Sequence, residues 1–260
     1  MAKNMRICVV GSGIVGASVA HALCEAGADV TVLERGALGG VATANSFGWI
    51  NASFAQSDEY FDLRLAAVDV FKTLSQHLGL SRYIRWNGAL WWEDAGEDFD
   101  VQMAELQRRD YPSLLLDRDA IAGLEPHLNM PPMRAIFAPT EGACDPHGVA
   151  RSLLTECSKM GAALITGCTV LGMLDSENGV RTDRGDMLFD HVVVTAGAAT
   201  SHVLASQGVD VPMENVPGMI LHSLPTPLVI ERVIMGAEVH FRQNPDGSFV
   251  VGEIFSGDLP

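Results

Sequence analysis

Three glycines at the spacing G-x-G-x-x-G, in Gly11-Ser12-Gly13-Ile14-Val15-Gly16, and an acid further on, Glu34, are the residues of this sequence best suited to chemistry. Together they can hold a dinucleotide. Gly11 permits a tight turn. Gly13 lets backbone N–H groups, with those of Ile14 and Val15 beside it, approach a pyrophosphate. Gly16 allows a helix to pack closely on a strand. The diphosphate then sits at a helix N-terminus, where unpaired N–H groups and the helix dipole favour negative charge. Glu34 can accept hydrogen bonds from both ribose hydroxyls, and its charge repels a 2′-phosphate.

Those residues work only if strands and a helix carry them, and the flanking sequence supplies both. Ile7-Cys8-Val9-Val10 is an apolar run that stops at the glycines, an Ala-rich segment follows to Gly27, and Val30-Thr31-Val32-Leu33 ends on Glu34. The pattern predicts strand, turn, helix and parallel strand. Ala20 keeps a small residue on the sheet-facing side of the helix, Gly27 ends the helix, and Val30 buries in the second strand. This continuation makes the glycine motif more than an ordinary Gly-rich turn.

The balance of charge narrows the partners. A formal charge of −15 over 260 residues argues against nucleic acid and against an anionic membrane surface. With 48% apolar and 19% charged residues the chain reads as globular. No apolar run reaches the ~18 residues of a membrane span, and the few apolar residues after Lys3 and Arg6 make no secretory signal. Cys8, Cys24, Cys144, Cys157 and Cys168 are odd in number and form no C-x-x-C, so they read as reduced thiols in a cytoplasmic protein. The eight histidines include no H-x-x-x-H, and no metal site is expected.

Beyond Glu34 and Arg35, the run Val41 to Ser53 is rich in small and hydroxyl residues and too irregular for either periodicity. Asp58 to Leu78 reads as a helix closed by Gly79. Tyr83 to Trp92 reads as a hairpin turning at Asn87-Gly88, its tryptophans packing in a core or forming an aromatic wall. Phe99 to Arg109 and Asp117 to Leu124 read as helices, and Pro126 to Pro139 as a connector. Asp145 and Pro146 start a helix that runs to Gly161, with His147 at a first-turn surface position. Ala162 to Val170 is expected to be a strand, and Gly179–Arg181 with Met187–Phe189 frame a turn. Asp190 to Ala198 is expected to be a central parallel strand whose C-terminal end meets a ligand. Asn244-Pro245-Asp246-Gly247 is a turn between two strands.

In combination these features resemble the D-amino acid oxidase-like family of FAD-dependent oxidoreductases, which includes D-amino acid dehydrogenases, glycine oxidase and sarcosine oxidase. The likeness rests on the Gly11–Glu34 fingerprint, the Thr43–Ile50 loop, Gly142 to Pro146 before a helix, Thr169-Val170, Thr195-Ala196-Gly197-Ala198 and the Pro245-Asp246-Gly247 hairpin. It implies an α/β fold: a Rossmann-like FAD-binding domain (1–82 and 142–215) and a mainly antiparallel β substrate domain (83–141 and 216–260). It implies FAD, with Gly11, Gly13 and Gly16 at the pyrophosphate, Glu34 at the ribose and Arg35 bordering the adenine. Thr43, Asn45, Ser46 and Gly48 run beside the pyrophosphate and flavin, Val170 meets the adenine through its backbone, and Ala196 and Gly197 lie under the cofactor.

The activity so implied is oxidation of the C–N bond of a small amine or amino acid by hydride transfer to the flavin. Arg242, on a strand of the last hairpin, is the candidate anchor for a substrate carboxylate; an exposed strand arginine is the plain alternative. Family members continue past this hairpin with a segment rich in Gly, Arg, Pro and Asp that this sequence lacks. The corresponding expectation is an open sheet edge, favouring a homo-oligomer or a partner chain over it. Two other functions stay open, a truncated and inactive nucleotide-binding protein and an NAD-dependent dehydrogenase. Against reductases and hydrolases, the sequence has no second glycine fingerprint, no close cysteine pair beside the first, no G-x-S-x-G and no P-loop.

Overall fold

The structure, a computed structural model, describes residues 5–92, 97–174, 178–213 and 218–253. It forms two compact units, residues 1–46 with 146–216 and residues 47–145 with 217–260. The segment 47–82, expected in the nucleotide unit, packs in the other one. The reason lies in pairing: Trp49–Ile50 and Ile84–Arg85 flank Gly142–Cys144 on either side in one small antiparallel sheet.

In the first unit, strand β1 (Arg6–Val10), helix α1 (Ile14–Glu25) and strand β2 (Asp29–Glu34) form as the glycine motif predicts. A parallel sheet runs in the order His191–Val194, β1, β2, Ala163–Thr166. β1 is buried on both faces, as a central parallel strand must be. Cys8 and Val10 meet a cluster with Leu33, Val170, Val180 and Val203, and α1 lays Gly16, Ala17 and Ala20 inward. The helix Pro146–Lys159 packs along α1.

Two sequence expectations need correction here. Ala162 to Val170 is not one strand: Ala163–Thr166 ends the parallel sheet, Gly167 turns with φ +61°, and Val170–Met173 starts an antiparallel meander with Gly179–Thr182 and Gly185–Leu188. His191–Val194 is parallel but stands at the sheet edge among the described residues, half-buried rather than central.

The second unit holds a seven-stranded sheet in the order Met219–His222, Phe249–Glu253, His240–Gln243, Val233–Met235, Ala89–Trp91, Arg134–Ala138, Leu114–Asp117. All neighbours are antiparallel except Val233–Met235 with Ala89–Trp91. Ala89, Trp91, Ile136, Ala138, Val233 and Met235 enter one core with Phe61, Phe99, Leu106 and Tyr111, while Leu90, Ala135 and Ile234 enter another. The period of two therefore buries both faces. The helix Asp58–His77 starts at Ser57, whose side chain accepts from Tyr60 N, and the chain leaves it through a left-handed Gly79. Asp117 caps Arg118–Leu124 in the same way.

Tyr83 to Trp92 is not a hairpin. Ile84–Arg85 and Ala89–Trp91 belong to different sheets, because each finds a partner distant in sequence before it finds the other. Of its tryptophans, Trp91 is core, stacked on Phe99 at 5.3 Å. The supposed connector Pro126 to Pro139 contains the inner strand Arg134–Ala138, since its prolines fall outside the hydrogen-bonded residues.

Candidate dinucleotide site

The site is built where β1 and β2 run together into the glycine turn. Gly11 N donates to Leu33 O at 2.9 Å, tying the two strand ends. Gly11 has φ +101°, and a Cβ there would lie 2.6 Å from Thr195 O. At Gly16 a Cβ would lie 2.1 Å from Gly11 O and 2.7 Å from the Thr195 hydroxyl. No side chain fits at either position, so the floor of the turn is bare backbone. Thr195 Oγ1 donates to Val10 O at 2.9 Å and keeps the far strand seated against it.

Helix α1 opens at this floor with N-cap Gly13, which offers no side chain of its own, and with Val15 exposed on the first turn. Its N–H groups and dipole face the turn. Ile14 N donates to the buried Thr43 Oγ1 at 3.0 Å, which fixes the short helix Val41–Ala44 beside the turn.

Glu34 closes the other side. Its Oε2 accepts from Ser12 N at 3.0 Å and Ser12 Oγ at 2.7 Å, and its Oε1 accepts from Gly36 N at 2.9 Å. Ser12 Oγ in turn accepts from Gly39 N at 3.1 Å. The carboxylate is buried and held in one orientation; Oε2 is filled by its two Ser12 donors, and Oε1 retains a lone pair for a ribose hydroxyl. Ser12 is a further candidate that sequence reasoning missed. As a variable position of the motif it carries no signal until the structure shows its hydroxyl on Glu34.

The structure thus brings together Gly11, Gly13, Ile14, Val15, Gly16, Glu34, Thr43 and Ala196, whose Cα would lie 3.3 Å from a Cβ on Gly11. Gly197 follows, exposed, at the start of a short 3-10 turn. Arg35 is exposed next to Glu34, and Val170 is buried under the sheet. Asn45 turns its amide back onto Val41 O at 2.8 Å. Ser46 ends this unit half-buried, while Gly48 lies in the other, where its carbonyl accepts from Cys144 N at 2.8 Å. His147 is not a free surface residue: its ring packs over Gly39 and its Nε2 lies 3.1 Å from Leu38 O. A bare backbone floor, first-turn amides and an immobilised carboxylate fit the adenosine diphosphate half of FAD.

The second unit carries the remaining candidates. Arg242 is not an exposed strand arginine. It is 3% exposed, donates from Nε to Phe47 O and from Nη1 to Asn244 Oδ1, and lies over the Phe47 ring. Burial pulls its pKa below the usual guanidinium value, opposed by Cys144 and Asp145. Glu141, another residue unmarked in the sequence, is wholly buried and accepts from Trp49 Nε1 and Tyr111 Oη, both at 2.9 Å. Burial raises its pKa from 4.5 to about 7, against the opposing effect of the neighbouring Ser53 and of these two donors. The described cysteines are all free thiols, and burial lifts Cys8, Cys144 and Cys157 to about 12, which leaves them protonated. Among the described residues no group of histidines, cysteines and acids could hold a metal, and no helix is long and apolar enough to cross a membrane.

Comparison with known proteins meets this geometry from outside. Residues 6–258 match the family described as DAO, FAD dependent oxidoreductase. Glycine oxidase of Bacillus licheniformis is 24% identical over 97% of this chain and 70% of its own. The uncharacterized oxidoreductase YurR of Bacillus subtilis is 27% identical over 82% of this chain and 60% of its own. The crystal structure of glycine oxidase from Geobacillus kaustophilus superposes with a TM-score of 0.88 at 19% identity, covering 99% of this chain and 74% of that one. This last likeness establishes the fold. The chain spans between 60% and 74% of the length of these three proteins.

Proposed function

Since the chain belongs to the FAD dependent oxidoreductase family, we propose that it oxidises the C–N bond of a small amine or amino acid. The observation that carries this reading is the glycine turn with Glu34 locked by Ser12 and Gly36. That arrangement suits a non-phosphorylated adenosine ribose and its diphosphate. Relatives named glycine oxidase support the substrate class.

In this reading Gly11, Gly13 and Gly16 present backbone to the diphosphate, Glu34 holds the ribose, and Thr43 and Ala196 border the turn. When bound, the flavin supplies the acceptor for a hydride from the carbon bearing nitrogen. The chain contributes orientation and electrostatics. The substrate nitrogen reacts unprotonated, so no dedicated base is required, and the imine product hydrolyses in water.

Arg242 is the proposed anchor for a substrate carboxylate. Its Nε and Nη1 are held by Phe47 O and Asn244 Oδ1, which fixes the plane of the guanidinium, and a buried guanidinium gains strongly from a substrate carboxylate. The test is anaerobic addition of glycine, sarcosine and D-alanine to flavin-loaded protein. Bleaching of the flavin absorbance by at least one of them is expected. Flavin that stays oxidised with the whole panel would refute the activity while leaving cofactor binding intact.

A further inference from the structure

Within residues 47–145 a cavity of about 10 Å³, the space of one water-sized group, is lined by Trp49, Ser53, Phe54, Trp91, Gln102 and Glu141, among others. Its walls are aromatic: Trp49 and Phe54 stand 5.4 Å apart, Phe54 and Trp91 5.3 Å. Its polar tips are acceptors. Glu141 is wholly buried, and among the described residues no cation lies at ion-pair distance from it. Ser53 is 4% exposed, and its Oγ sits near Glu141 in no hydrogen-bonding geometry. Gln102 spends its Nε2 on Ser53 O at 2.6 Å.

A buried acid without a counter-charge and a buried hydroxyl without a partner are each costly. A ligand that donates several hydrogen bonds and carries positive charge relieves both, and ring faces add cation–π attraction. We propose that this cavity is a binding site for an ammonium ion, seated between the Glu141 carboxylate, Ser53 Oγ and the faces of Trp49 and Trp91. The proposal does not depend on the amine-oxidation reading, because it rests on the lining of this cavity alone.

Trp49 reports on the site directly. Protein without added flavin is titrated at pH 8 with ammonium chloride and, in parallel, methylammonium chloride, each at constant chloride against potassium chloride. A saturable change in tryptophan fluorescence is expected with ammonium. Methylammonium, which exceeds a space of one water, is expected to give a weaker change or none, and an equal response to it overturns the proposal. Glu141→Gln and, separately, Ser53→Ala are expected to weaken the response by about tenfold or more. No saturable response, an equal response to tetramethylammonium, or one unaltered in both variants overturns the proposal and leaves the cavity to a single water.

Discussion

Replacing Glu141 with glutamine removes one ionisation from the core while keeping the shape and hydrogen bonding of the protonated acid. Gln Oε1 can accept from Trp49 Nε1, and its amide can donate to Tyr111 Oη. Burial raises the Glu141 pKa from 4.5 to about 7, so the folded state holds this proton more tightly than the unfolded chain does. The stability tied to it is therefore full below pH 4.5 and is lost as pH rises through about 7. At about 1.4 kcal/mol per pKa unit the loss comes to roughly 3–4 kcal/mol. Urea unfolding followed by tryptophan fluorescence is a suitable assay, because Trp49, Trp86, Trp91 and Trp92 all lie in residues 47–145. Wild type should lose stability between pH 4.5 and 8 relative to Glu141→Gln, and the variant should be the more stable protein at pH 8. Subtracting the two curves removes the contribution of every other titrating group. Parallel curves, with no pH-dependent difference, would refute the argument that this carboxylate is desolvated.

Other substitutions test the remaining parts. Gly16→Ala forces a Cβ to within 2.1 Å of Gly11 O; it should abolish flavin retention and lower stability by about 1–3 kcal/mol in a denaturant titration. Ser12→Ala deletes a hydroxyl that donates to Glu34 and accepts from Gly39, and should weaken FAD binding about tenfold, measured by flavin fluorescence. Glu125 is wholly buried and accepts from Glu231 N, Arg232 N and Arg232 Nη1. Glu125→Ala should destabilise the second unit by about 3–5 kcal/mol, seen as a lower thermal midpoint, without altering FAD affinity. Arg242→Met should raise KM for a carboxylate-bearing substrate far more than for an amine without one; equal effects on both would exclude the anchor role.

The parts legible in the sequence are those dictated by neighbours along the chain. The opening strand–turn–helix–strand follows from glycine spacing, the end of the helix Asp58–His77 from the glycine that closes it, and the last hairpin from Asn244-Pro245-Asp246-Gly247. Long-range pairing was not legible. Tyr83 to Trp92 has the local pattern of a hairpin, yet its two halves are claimed by Gly142–Cys144 and by Arg134–Ala138. Arg134–Ala138 itself hid behind flanking prolines. Side-chain burial was hidden for the same reason. Nothing near Glu141 or Ser12 in sequence announces Trp49, Tyr111 or Glu34 as partners, and Arg242 is buried by Phe47 and Asn244 instead of standing free. Charge on a strand indicates which face it takes only when the other side of that face is known.

Equilibrium titration of flavin-stripped protein with FAD tests most directly whether the glycine turn and Glu34 form the cofactor seat. Wild type should bind one FAD per chain, quenching its fluorescence, and a Glu34→Arg variant should not. Absence of saturable binding by wild type, or equal binding by both proteins, would contradict the account.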